Sequence, residues 1–277
     1  MCIRDRFSYK KIFSFWVQII FYTISITFVF AIFSKTSVNL SDWFSALTPI
    51  SHGQYWYMSC YFGLVLIAPF LNQAVLTLKK EQLLPIVSGA FIYFSVIPTV
   101  FKQDILGLWG GYSVLWMILL YTIGAIIRKS NYESRFQIRN VSGFILFLTS
   151  LTFILCWLGF EQWRSYISPT VTLQGIAIFL LFLNIKDIPL TFKRIVLLIS
   201  PLTLGVYLFH VHPLIFRRII PTIHTLVEEQ EFPIFVIMIL VMTLALFFSG
   251  AMIEYFRNKL MAYILTLIKS VKNLKQT

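Results

Sequence analysis

Four side chains able to bond or move a proton stand at i, i+3, i+7 and i+10 in one apolar stretch: Ser200, Thr203, Tyr207 and His210. At 3.6 residues per turn they share one helix face. Arg217 stands seven residues after His210 and extends that face if the helix persists past Pro213. A polar stripe turned to hydrocarbon would leave donors unpaired, so it should face a bundle interior or a water-filled cavity. His210 then either ties helices together or forms the wall of a substrate pocket. His212 is two positions on, nearly opposite, and precedes a proline, which disfavours helical geometry there. We expect it to be structural, and the two histidines are poorly placed to share a metal. A second face, around residue 56, carries His52, Trp56, Ser59 and Gly63, with Tyr57 beside it. Aromatic rings there suit the C–H faces of a sugar, or form an interfacial aromatic belt. Asn72 and Gln73 are expected to cap the far end of that helix. Phosphate-loop, HExxH and GxSxG patterns are absent. Cys2, Cys60 and Cys156 are isolated, with no zinc or disulfide pattern, and are expected to be packing residues.

The elements that must position these residues are membrane spans. Eight stretches without Lys, Arg, Asp or Glu run over 12–34, 55–78, 83–101, 109–127, 140–160, 168–185, 195–216 and 233–253. A bilayer core about 30 Å thick takes roughly 20 apolar residues as a helix. The chain is 58% hydrophobic and 12% charged, with mean hydropathy +0.81. We therefore expect an all-α, polytopic transmembrane helix bundle of about eight spans. Every acidic residue falls outside the stretches, Glu254 just beyond the last, so no intramembrane carboxylate is expected.

The net charge of +12 follows from topology. With the N-terminus cytoplasmic, the inner segments carry four, two, four, three and five Lys or Arg, and all the outer segments together carry five. That asymmetry obeys the positive-inside rule and puts both termini in the cytoplasm. It makes nucleic acid an unneeded partner. Pro98 predicts a bend in the third span, and Ser41 is a candidate cap for a short interfacial helix around Trp43 and Phe44. Residues 257–277 space Leu260, Tyr263, Ile264, Leu267 and Ile268 helically among lysines and read as an amphipathic cytoplasmic tail. Met1–Arg6 is a short charged leader, read as non-native.

Three stretches carry a resemblance: Phe15 to Tyr22; Tyr55 to Tyr61, running on to Ala68-Pro69-Phe70-Leu71-Asn72; and Ser200 to Pro213. Their order and spacing resemble the acyltransferase 3 family of integral membrane acyltransferases. On that resemblance residues 7–256 form the transmembrane domain, in the cell membrane. The likeness implies transfer of an acyl group, usually acetyl, from cytoplasmic acyl-coenzyme A. The acceptor would be a hydroxyl on an extracytoplasmic glycan, wall polymer or glycolipid. Acyl-coenzyme A is then a donor substrate, and no bound cofactor or metal is implied. The acceptor would approach His52, Trp56, Tyr57, Tyr207, His210 and Arg217. The family has about ten core helices and a presumed catalytic histidine on the first, eleven positions after an Arg or Lys. Eleven before His52, His210, His212 and His224 stand Ser41, Ile199, Pro201 and Pro213. None fits, so the catalytic residue is expected upstream of residue 7, on a missing pair of helices. Tyr61 stands where some branches carry a glutamate, leaving the acceptor open. The rivals are a transporter or flippase for a lipid-linked saccharide, and an inactive fragment.

Overall fold

A computed structural model describes residues 9–33, 38–104, 106–130, 137–185, 188–228 and 230–274. The leader 1–6 and the last residues of the tail lie outside them. Every described element is helical: α1 Tyr9–Phe33, α2 Leu40–Leu47, α3 Trp56–Thr77, α4 Lys80–Phe91, α5 Ile97–Phe101, α6 Val114–Lys129, α7 Ile138–Trp157, α8 Pro169–Asn184, α9 Leu190–Ile199, α10 Thr203–His210, α11 Pro213–Arg218, α12 Ile220–Glu228 and α13 Phe232–Leu274. Charge-free sequence in hydrocarbon leaves the helix as the structure that pairs every backbone group within its own segment. Seven runs among the described residues are long and apolar enough to span: Ile12–Phe33, Trp56–Thr77, Lys80–Phe101, Ile138–Trp157, Glu161–Asn184, Leu190–His210 and Phe232–Ile264. The remaining stretch, 109–127, holds α6, which at 16 residues is shorter. The fold is thus an all-α polytopic bundle.

The bend expected at Pro98 is a π-helical turn, Ile92–Val96, joining α4 to α5. Proline cannot donate to the carbonyl four residues back, and a widened turn absorbs the defect. Asn39, not Ser41, precedes α2; its N–H donates to the Asp42 carboxylate at 2.9 Å. The tail is not a separate helix. From Arg257 it continues α13 without a break to Leu274.

The chain divides into two compact units. In the unit Trp56–Ile188, α3 and α6 run in the same direction. Trp56 meets Tyr112 edge-on at 4.3 Å at their first ends. At their last ends the Lys129 ammonium donates to the carbonyls of Val75 and Leu78, at 2.6 and 2.7 Å. Those carbonyls are orphans of the α3 terminus, and a cation there satisfies them. Val75, Leu83, Ala125 and Ile126 close a core beside them. Helices α7 and α8 form a hairpin through a 3₁₀ turn, Glu161–Arg164, with Thr152 bonded to Thr170 at 2.8 Å. The Asp104 carboxylate accepts the Leu108 and Trp109 N–H groups, both at 2.6 Å, and fastens the loop before α6.

The unit Ser8–Tyr55 with Pro189–Thr277 joins an early and a late segment of the sequence. It is organised around α10 and α13. A Cβ on Gly250 would stand 2.7 Å from Val206 Cα, and one on Gly205 would stand 2.4 Å from Glu254 Cβ. The helices therefore approach to backbone distance through small residues, as membrane helices do.

Candidate functional site

The buried face of α10 is not the predicted stripe. Gly205 and Leu208 are buried, whereas Ser200 and Thr203 are exposed and Tyr207 and His210 are half-buried. Two prolines account for the difference. Pro201 lies in a 3₁₀ turn, Ser200–Leu202, which shifts the helical register ahead of α10. Pro213 has no N–H to donate to Phe209, so α10 ends, and the His212 N–H bonds Phe209 O at 3.3 Å instead. The freed Leu208 carbonyl takes the Tyr55 hydroxyl at 2.8 Å. Arg217 consequently does not extend the His210 face. It sits exposed on α11, beyond the break.

The two histidines at this break hold opposite tautomers. His210 Nδ1 lies 2.7 Å from the Val206 carbonyl, which can only accept, so Nδ1 carries the proton. Nε2 then presents a lone pair, and among the described residues it has no hydrogen-bond partner. Tyr207 stands edge-on at 6.1 Å from the His210 ring and at 6.1 Å from Tyr55. His212 is 1% exposed. Its Nδ1 accepts the Leu214 N–H at 3.2 Å and caps α11. Its proton is therefore on Nε2, on the side of the Thr23 backbone. His210 is arranged to accept a proton and His212 to donate a hydrogen bond. The structural part expected for His212 agrees with its capping of α11.

The sequence reading passed over one buried carboxylate on α13. Glu254 falls inside the apolar run Phe232–Ile264 and is 1% exposed. Arg257, one helical turn on, grips it through Nε at 2.9 Å and a terminal nitrogen at 2.6 Å. Gln18 Nε2 and the Tyr22 hydroxyl of α1 donate to it at 3.0 and 2.9 Å. A buried charge needs such complete pairing. The signals were present in the sequence: Glu254 and Arg257 at i, i+3, and Gln18 and Tyr22 at i, i+4. Ending the span at the first charge hid them.

His52, in the same unit, is exposed. Its Nδ1 bonds the Thr48 hydroxyl at 2.8 Å and its ring meets Phe44 edge-on at 5.3 Å. Asn72 makes no capping bond among the described residues; its Oδ1 accepts the Tyr121 hydroxyl at 2.6 Å and ties α3 to α6.

Trp56 and Tyr57 belong to the other unit, where both line a cavity of about 510 Å³. Trp56 joins Tyr112 and Tyr166 in a three-ring cluster, the Trp56 and Tyr166 planes 28° apart with centroids 6.2 Å apart. Gly111, at φ +110°, allows this: a Cβ there would stand 2.7 Å from Tyr166 Cβ. Trp56 and Tyr166 of this cluster thus line part of an apolar hollow.

A family model described as an acyltransferase domain, Acyl_transf_3, matches residues 4–265. Comparison with curated proteins and with solved structures gives no match.

Proposed function

The chain belongs to the acyltransferase 3 family, and from that premise we propose that it moves an acyl group, acetyl in the first instance, from acyl-coenzyme A to a hydroxyl of an extracytoplasmic carbohydrate or wall polymer. The observation that carries this reading is the family match over residues 4–265 of a polytopic helical chain. The cytoplasmic connections are the basic ones, which suits the phosphates of the donor. On this reading we assign the enzyme to the cell membrane.

Two features support an acceptor that bears hydroxyls. The Trp56, Tyr112 and Tyr166 rings offer faces on which sugar C–H groups can stack. The bare Nε2 of His210 is the acceptor that a reacting hydroxyl needs as it approaches the thioester carbonyl. In the reaction the acceptor oxygen bonds the acyl carbon, the carbon–sulfur bond breaks, coenzyme A leaves as the thiol, and the hydroxyl proton passes to a base. We give His210 the role of orienting a hydroxyl, with Tyr207 as its neighbour; Trp56 and Tyr57, in the other unit, are by themselves candidates for a sugar-stacking platform. His52 and Arg217 are candidates for contacts at the outer surface, where Arg217 would meet an anionic group of the acceptor.

The test uses membranes containing the chain, radiolabelled acetyl-coenzyme A and cell-surface glycan. We expect glycan-bound acetyl released by mild base. His210→Ala should lower kcat/KM roughly ten- to a hundredfold, the worth of one hydrogen bond to a reacting group. Unchanged transfer in that variant would remove His210 from the site. No transfer by the parent chain would remove the reading.

A further inference from the structure

We propose that a cavity at the outer end of α5 is a separate ligand subsite, that it takes an acidic sugar unit, and that Lys102 holds the carboxylate or phosphate of that unit. This rests on the reading of the acceptor as a carbohydrate and specifies one of its units.

The cavity has about 200 Å³, and six polar side chains stand in its lining: Thr99, Lys102, Gln103, Asp104, Gln162 and Ser165. Pockets for drug-sized ligands run about 300–1,000 Å³, so this one has room for a single sugar unit. It lies wholly within the Trp56–Ile188 unit. The loops that form it, before α6 and before α8, are extracytoplasmic by the charge asymmetry.

Helical threonines elsewhere in this unit, Thr122, Thr149 and Thr152 among them, bond the carbonyl four residues back. Thr99 does not. It is 2% exposed, and its hydroxyl has no partner among the described residues. Ser95, one turn earlier, donates to the Ile167 carbonyl at 2.5 Å. A buried hydroxyl left without a partner costs free energy, and a ligand oxygen beside Thr99 offsets that cost.

Lys102 supplies the charge. It ends α5 at φ +55°, a left-handed position that glycine or asparagine usually takes. Its ammonium lies 5.6 Å from the centre of the Phe160 ring and pairs with no carboxylate among the described residues. The carboxylates next to it in these loops are engaged elsewhere. Asp104 accepts the Leu108 and Trp109 N–H groups, both at 2.6 Å, and Glu161 pairs with Arg164 at 2.9 Å. The side-chain amides of Gln103 and Gln162 make no hydrogen bond among the described residues. A metal ion here would meet one carboxylate beside an ammonium that repels it. A neutral sugar would leave that ammonium without a counter-charge. A sugar bearing a carboxylate or phosphate supplies the counter-charge, and its hydroxyls pair with the two amides.

The backbone sets this cavity against the aromatic rings. Ser165 is extended, at φ −66° and ψ 151°, and successive residues of an extended chain face opposite sides. Ser165 and Ile167 line the small cavity, and Tyr166 between them lines the larger hollow with Trp56. The stacking platform and the acidic subsite thus flank one short segment, and neighbouring units of one glycan reach both.

The experiment uses the full chain in phosphatidylcholine nanodiscs and measures binding by calorimetry with no acyl donor present. The probes are three trisaccharides, one with a hexuronate unit, one with a hexose phosphate unit and one neutral, together with inorganic phosphate. At least one acidic trisaccharide should bind at least tenfold more tightly than the neutral one, and which of the two does so identifies the anion as carboxylate or phosphate. Lys102→Asn, which tolerates the left-handed backbone, should abolish the preference and leave the affinity for the neutral probe at its parent level. Thr99→Val, of the same shape, should weaken the acidic probe at least threefold without lowering the Tm. Equal affinity for acidic and neutral probes, binding of none of them, or a preference kept in Lys102→Asn would overturn the proposal. So would inorganic phosphate binding as tightly as the phosphate trisaccharide, which would mean an adventitious ion only. Acyl transfer from acetyl-coenzyme A is then assayed on the same trisaccharides. A binding preference without any transfer would support the subsite and remove the acyl-transfer reading. Transfer to acidic and neutral probes at equal kcat/KM and equal affinity would overturn the subsite and leave that reading intact.

Discussion

His210 and His212 differ by two positions, yet local hydrogen bonding gives them opposite chemistry. In the sequence His210 is a candidate substrate contact and His212 is expected to be structural. A ring whose Nδ1 is held by a carbonyl keeps Nε2 for a ligand, whereas a ring whose Nδ1 caps a helix has no free lone pair. Glu254 was not legible as a buried group, because a stretch without charge was taken as the whole span. Its four donors come from α1 and α13, and only the folded chain brings these together. Removing one partner of a buried ion pair typically costs about 3–5 kcal/mol, since the other charge remains unpaired. Glu254→Gln should therefore lower the detergent-solubilised Tm markedly. Adding Arg257→Met should recover part of the loss, because no charge is then stranded. Strictly additive losses in that double-mutant cycle would show that the two do not act as a pair.

At the scale of elements, the place of the long apolar helices was legible from charge-free length, seven of the eight stretches qualifying as spans among the described residues, and of their internal breaks the one at Pro98 was legible but those at Pro201 and Pro213 were not. The stripe Ser200, Thr203, Tyr207, His210 and Arg217 assumed one unbroken helix. Pro201 and Pro213 divide it, so Arg217 leaves the face and Ser200 and Thr203 turn outward. Glycines were the unread signal. Gly205 and Gly250 let α10 and α13 meet at backbone distance, and each is placed where a methyl group would strike a neighbour. Overpacking a tight contact costs about 1–3 kcal/mol. Gly250→Ala meets the backbone of Val206, which cannot rotate away. Gly205→Ala should cost at least as much, because its Cβ would stand closer, 2.4 Å from Glu254 Cβ, which its own backbone fixes. Thermal unfolding of the two variants compares them directly, and a Gly250→Ala protein as stable as the parent would contradict the close packing of these helices.

For the whole molecule, composition and charge placement led to a membrane bundle, and the helices and the family match agree with that class. In the Trp56–Ile188 unit, α3 and α6 begin at one end and finish at the other, as alternate crossings require. The direction across the bilayer rests on the basic connections. Reporter fusions should therefore report residues 128–139 in the cytoplasm, and an external reporter there would reverse the donor and acceptor sides. Which acceptor is used was not legible in the residues of any one span. The hollow lined from α3, α6 and α8 was not legible either, because a pattern along one helix does not encode the space between three. The most direct measurement follows acetyl label from acetyl-coenzyme A, supplied only on the cytoplasmic face of sealed vesicles, to saccharide on the opposite face. The account predicts a base-labile acetyl ester on that saccharide, dependent on the chain and diminished by His210→Ala. Label that never leaves coenzyme A, or that reaches the saccharide equally without the chain, would contradict it.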